Sequence, residues 1–263
     1  MLNEVNPPID GFPPESNPTL NNVIFAGNSA ASGGGMYNYS SSPNLSDVTF
    51  VGNTSSNNGG GMTNYQSSNP SLINVSFIDN TASSGGGMYN VSFSVPYLTN
   101  VTLSNNTASN FGGGIYNFSS TASLSTVTFF SNNAGVDGGG IYNDASGSEI
   151  INSILWGNTP NQIAGSATVN YSDIQGGHSG VGNINQDPRL GPLADNGGFT
   201  LTHALRFGSP AIDMGNPTVC PATDQRGFTR PFDGDGDGIS RCDLGAYESQ
   251  ITPNFIYLPS ITR

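Results

Sequence analysis

The sequence predicts an all-β fold, a parallel β-helix of about 26 residues per coil closed by an irregular C-terminal cap. Three observations carry this. An apolar anchor recurs at Phe25, Phe50, Phe77, Leu103, Phe129 and Leu155, in steps of 25, 27, 26, 26 and 26 residues. An Asn follows each anchor by three (Asn28, Asn53, Asn80, Asn106, Asn132, Asn158), and a Leu or Ile precedes it by five (Leu20, Leu45, Leu72, Leu98, Leu124, Ile150). Triple glycines begin at Gly33, Gly59, Gly85, Gly112 and Gly138. A fixed period in this range marks stacked structural repeats, each unable to bury its apolar face alone.

Each element of the repeat has a local reason. Alternation such as Val101-Thr102-Leu103 is period two with a β-branched residue, a short strand with one face inward. The glycine segment carries a second strand, with Met88 or Ile115 inward and Tyr89 or Tyr116 outward, and the Leu at minus five begins a third. Pro18, Pro43, Pro70 and Pro96 stand two before that Leu, where the chain must turn. Stacked at the strand-pairing distance of about 4.8 Å, equivalent residues become ladders. Val23, Val48, Val75, Val101 and Val127 then form one inner column, and Met36, Met62, Met88, Ile115 and Ile141 another. The Asn column reads as a ladder of turn residues, each amide able to donate to the next coil. Asn38, Asn64, Asn90, Asn117 and Asn143 form a second one. The stripe Tyr37, Tyr89, Tyr116 and Tyr142, broken by Thr63, reads as cross-strand packing in preference to a sugar-binding track.

Composition narrows the function. Charged residues make up 9% of the chain, the net charge is −12, and all six basic residues are Arg, the first at Arg189. An acidic chain without basic coils fits neither a nucleic-acid surface nor an anionic membrane. No apolar run reaches the length of a membrane span, so no membrane insertion is expected. Met1 to Glu4 shows no secretion signal. Cys220 and Cys242, 22 residues apart, read as a disulfide that would contribute about 3 kcal/mol and fit an extracytoplasmic setting.

The chain divides into a Pro-rich segment (1–19), the β-helix repeats (20–175), a C-terminal cap (176–250) in which Arg and most acids appear, and an apolar tail (251–263). The cap is expected to cover the last coil, as repeat arrays require. The first coil, from Leu20, shows no evident cap. In 176–250 the run Asp233-Gly-Asp235-Gly-Asp237-Gly offers alternate carboxylates that suit a structural Ca²⁺. Leu244 stands where a complete calcium loop would place Glu, so Asp224 and Asp243 would have to supply further oxygens. The alternative is a flexible acidic loop. Arg226 and Arg230 are expected to pair inside the cap with Asp213 or Asp243.

Two stretches resemble known families. Phe77-Ile-Asp-Asn80 and Gly112-Gly-Gly-Ile115 resemble the repeats of polymorphic outer-membrane proteins over residues 20–158. Five ordered blocks resemble the domain called choice-of-anchor Q of bacterial surface proteins: Tyr171 to Gly177, Asp187-Pro188, Ser209 to Asp213, Asp224 to Gly227, and Asp243 to Glu248. These resemblances imply right-handed winding and a secreted or cell-surface location, with no assigned reaction.

Catalysis has little to work with in the coils. Lyases on β-helices need a flanking base, and Leu20 to Glu149 contains no Arg or Lys. Hydrolases need paired carboxylates, and the coils offer only Asp47, Asp79, Asp137, Asp144 and Glu149, scattered. His178 and His203 lack a Ser or Cys context that suggests a triad. The expected catalytic set is therefore empty. The expected function is a non-catalytic extracellular structural or adhesive module, with cell-surface glycans or proteins as partners. Two alternatives stand beside it: a self-assembling homopolymer whose copies stack end to end, and a carbohydrate-active lyase or hydrolase.

Overall fold

The structure is a computed structural model that describes the backbone of Leu2–Asn3 and residues 16–250. Most of the Pro-rich segment and the tail 251–263 lie outside the described residues. The chain winds into a β-solenoid of parallel strands. The described residues contain no α-helix, and the one helical turn is the 3₁₀ segment Pro217–Val219.

Register follows the sequence period. The anchors pair in parallel from coil to coil, Phe25 on Phe50, Phe77, Leu103, Phe129 and Leu155, and the column ends on Ile174. The Phe25, Phe50 and Phe77 rings stack with centroids 4.9 and 4.7 Å apart, close to the strand spacing itself. Val48, Val75, Val101 and Val127, the Leu45 column and the Met62 column are buried beside them and make one continuous core.

The strands differ from expectation in one respect. In the middle coils the two expected strands before the anchor run together, as Ser71–Ile78, Tyr97–Ser104 and Ser123–Phe130. The bend lies at a left-handed residue: Asn74 has φ 57° and Asn100 φ 55°, and pairing skips both. Asn and Asp tolerate this conformation best, which accounts for Asp47 (φ 56°) in the same column. The third strand is instead a two-residue piece, Thr81–Ala82, Thr107–Ala108 or Asn133–Ala134, where the small Ala faces the core.

The Asn column is a closed hydrogen-bond ladder in the interior. Asn53, Asn80, Asn106 and Asn132 are fully buried. The backbone N–H and the side-chain amide of Asn80 both donate to Oδ1 of Asn106, at 3.1 and 2.9 Å. The amide's second hydrogen goes to the carbonyl of Phe50 in the coil before, at 2.9 Å. Asn106 and Asn132 repeat the pattern on Phe77 and Leu103. Every amide hydrogen and both lone-pair positions are thus used, and each Asn ties three coils. At the C-terminal end Gln162 replaces a seventh Asn, its Oε1 accepting from the Asn158 amide at 2.6 Å. A second buried ladder joins Asn38, Asn64, Asn90, Asn117 and Asn143 at 2.8 Å per step. A third, of Ser41, Ser68, Ser94 and Ser120, passes each hydroxyl oxygen to the backbone N–H of the coil before.

The triple glycine follows from close packing. Gly112 has φ 66°; a Cβ on Gly113 would lie 2.5 Å from the carbonyl of Gly139, and one on Gly114 2.9 Å from the Phe129 ring. The anchor of one coil therefore sits over the third glycine of the coil before.

One expectation about the N-terminal end is corrected. Leu2–Asn3 adds a parallel strand to Met36–Tyr39, with Leu2 beside Tyr37 and Asn3 beside Asn38. This face of the first coil is covered, whereas Thr19–Asn21, Ile24–Ala26 and Ser29–Ser32 pair only with the second coil among the described residues.

Asn106→Ala removes four hydrogen bonds, leaves the Asn80 N–H and one Asn80 amide hydrogen without an acceptor, and takes one donor from the Phe77 carbonyl. We expect a loss of at least about 3 kcal/mol in urea denaturation. Asn28→Ala, at the exposed end of the ladder, removes one side-chain bond and should lose less than about 1 kcal/mol.

Candidate functional site

The C-terminal region is not an end cap. Residues 181–185 do add a last partial turn, with Ile184 paired to Asp173. The chain from Leu190 onward instead folds back along the flank of the coils, over the outward residues of the anchor strands. Gln225 is the central pin: its amide donates to Ser76 Oγ at 2.9 Å and Thr200 Oγ1 at 2.8 Å, and its Oε1 accepts from Thr102 Oγ1 at 2.8 Å. Thr128 accepts from the Ala246 N–H, and Asn100 donates to the Thr223 carbonyl. Ile154 joins Leu205, Ala211, Ile212 and Leu244 in a second small core. The Ser and Thr residues that alternate outward from the core are therefore buried here.

Buried charges hold this region together. Arg226 pairs with Asp224 at 2.6 Å, and its guanidinium lies between the rings of Tyr247 and Phe228, at 3.6 and 4.3 Å. Arg230 pairs with Glu248 at 3.3 Å. The expected partners, Asp213 and Asp243, are thus not the ones used. Asp243 accepts backbone N–H groups of Asp213 and Ser249 instead, which pins two segments of the region that are distant in sequence. The Cys220–Cys242 disulfide, with Cα atoms 6.0 Å apart, closes the loop between them.

The calcium expectation also changes composition. Asp213, Asp233 and Asp235 place carboxylate oxygens within 4.8 Å of one another, a set that could hold a metal ion. Asp213 comes from the Ser209–Asp213 block and was not expected. Asp237 is outside this set and accepts from the Ile239 N–H. Asp224 and Asp243, the expected supplements, are committed to the contacts above. Asp213 itself accepts from the N–H groups of Gly234 and Asp235.

One pair resembles catalytic chemistry and was missed in the sequence. His203 Nε2 lies 3.0 Å from Ser104 Oγ. The other ring nitrogen, Nδ1, faces the Gly191 carbonyl at 2.9 Å, so it carries the hydrogen and Nε2 accepts from the hydroxyl. Burial lowers the imidazole pKa and keeps the ring neutral. Ser104 is fully buried, so no substrate carbonyl reaches its oxygen, and the pair is a clamp between coil and flank.

An open groove of about 540 Å³ lies where the flank region meets the fifth and sixth coils. Phe130 and Trp156, neighbours in one outward column, form its floor. Asp187, Arg189, Arg206 and Phe207 form the opposite side. Phe207 is 66% exposed. These residues are far apart in sequence, and only their meeting in space marks them.

Residues 100–117 and 126–144 match the Chlamydia polymorphic membrane protein repeat. The matched stretches contain Asn106, Asn132 and the glycine segments before Ile115 and Ile141, the residues of the ladders. No curated protein and no solved structure matches the chain.

Asp173 provides a pH test. It is fully buried, its Oδ1 accepts from the Gln186 N–H, and its Oδ2 has no partner among the described residues. Burial raises its pKa from 3.8 to about 7, with the negative charge of Asp187 adding and the Gln186 N–H opposing. Burial likewise raises Glu248 from 4.5 to about 7 against the attraction of Arg230. Both groups hold their proton more tightly folded than unfolded, so stability falls as pH rises through the range up to about 7. The melting temperature should be lower at pH 8 than at pH 5.5. Asp173→Asn should raise it at both, and by about twice as much at pH 8 as at pH 5.5.

Proposed function

We propose that the protein is a non-catalytic surface module, structural or adhesive, displayed outside the cell. The observation that carries this reading is the isolation of the carboxylates on the coils. Asp144 stands beside Phe118, Glu149 between Ser123 and Thr168, and Asp137 beside Phe111. Asp47 accepts from Asn74, and Asp79 shares its left-handed position with Asn105. Among the described residues, none of these carboxylates has an acidic neighbour in the next coil, whereas glycoside hydrolysis needs two that face one bond. The similarity to a membrane-protein repeat supports a surface location. The resemblance of the C-terminal blocks to a surface-protein domain supports the same reading.

Two finer elements belong to it. Ca²⁺ is the hard cation suited to Asp213, Asp233 and Asp235, and there it would be structural. If so, millimolar Ca²⁺ raises the melting temperature and Asp213→Asn removes the increase; an unchanged melting temperature would remove the ion from the account. The edge of the first coil at Ile24–Ala26, which among the described residues pairs only with the second coil and where Ile24 is 69% exposed, favours end-to-end stacking as a second mode of use. Light scattering that finds a strict monomer at high concentration would exclude it.

A panel of acidic and neutral polysaccharides tests the main reading. No new reducing ends and no unsaturated products should form over a day at micromolar protein. Clear turnover of any member would contradict it.

A further inference from the structure

We propose that the groove between Trp156 and Arg206 is a binding site for a carboxylate-bearing saccharide. Positive charge is scarce in this chain. The chain has six Arg and no Lys. Among the described residues, Arg226 and Arg230 are committed to ion pairs, and Arg189, Arg206 and Arg241 make none. Two of those three residues line this one groove. They are held there by the fold: the Arg206 N–H donates to the Arg189 carbonyl, and Arg189 adopts φ 49°, a conformation unusual for a long side chain. The Arg189 N–H in turn bonds Asp187 Oδ1 at 2.8 Å, which fixes the turn from Asp187 to Arg189.

The remaining lining is aromatic. Trp156 is half-buried in the floor beside Phe130, and Phe207 projects from the rim. An aromatic ring in the lining offers a face to the C–H side of a pyranose ring. Paired guanidinium groups offer bidentate hydrogen bonds to a carboxylate, and the Asp187 carboxylate an acceptor for ring hydroxyls. A volume of about 540 Å³ lies within the range of small-ligand sites. The combination therefore fits an acidic sugar better than an acidic peptide. This deepens the adhesive reading above and rests on it in one respect: the sugar is held and not cut.

Trp156 is the only tryptophan, so its fluorescence reports on the groove directly. The full chain is titrated with a galacturonate tetrasaccharide, the matching neutral galactose tetrasaccharide, and a glutamate tetrapeptide. A saturable change in emission is expected with the galacturonate, and a change at least about tenfold weaker with the other two. Arg189→Gln and Arg206→Gln should each weaken galacturonate binding about tenfold. Arg241→Gln, which removes the same charge elsewhere, should leave it unchanged, and Phe207→Ala should weaken it without altering charge. Circular dichroism of each variant checks that the fold is kept. An equal response to the neutral sugar or the peptide, no response, or binding indifferent to both groove arginines would overturn the proposal. Reducing ends are counted on the recovered tetrasaccharide; cleavage would overturn the non-catalytic reading while leaving binding at the groove intact.

Discussion

The buried Asn amide is the interaction on which the solenoid depends. The coils contain almost no ions, and their core is only one layer of apolar side chains deep. A polar group inside such a core is tolerable only when all its hydrogen-bonding capacity is used. The column from Asn53 to Asn132 meets that condition, because each amide donates forward to the next coil and back to the anchor carbonyl of the one before. This geometry requires a constant rise between coils. It therefore explains why the Phe rings stack at nearly that spacing and why the glycine segment admits no Cβ. Shifting one coil by a residue would break the ladder and turn every alternating side chain around.

The flank region follows the opposite strategy. It gathers the charged residues that the coils avoid and buries them in two ion pairs and a set of carboxylates capped by backbone N–H groups. Such an arrangement adds little net stability but fixes one geometry, since any misplacement leaves a buried charge alone. Here the geometry it fixes is the docking of residues 190–249 on the outward Ser and Thr of the anchor strands. The open groove at Trp156 is a by-product of that docking, formed where coil and flank residues meet.

The coils were legible in the sequence because each contact in them is a repetition. Phe77 meets Phe50 at a separation that is the period itself, so reading the period amounts to reading the contacts. The Ser41 to Ser120 ladder carried the same signal and was overlooked only because Ser is common between the repeats. The flank was not legible, for a physical reason. Gln225 reaches Ser76 across 149 residues and His203 reaches Ser104 across 99, with no recurrence to announce either contact. The same holds for Asp213 beside Asp233 and for Arg226 choosing Asp224 over its expected partners. Composition suggested a cap over the last coil; the alternating Ser and Thr, which look like ordinary solvent-facing positions, concealed the surface it covers instead.

The amide ladder is closed and dry from Asn53 to Asn132. Hydrogen exchange followed by nuclear magnetic resonance tests it most directly, residue by residue. The account predicts that the backbone N–H and side-chain amide hydrogens of Asn53, Asn80, Asn106 and Asn132 exchange only as fast as the whole domain unfolds. Side-chain amide exchange in these four residues as rapid as that of the exposed loop around Asp235 would contradict it.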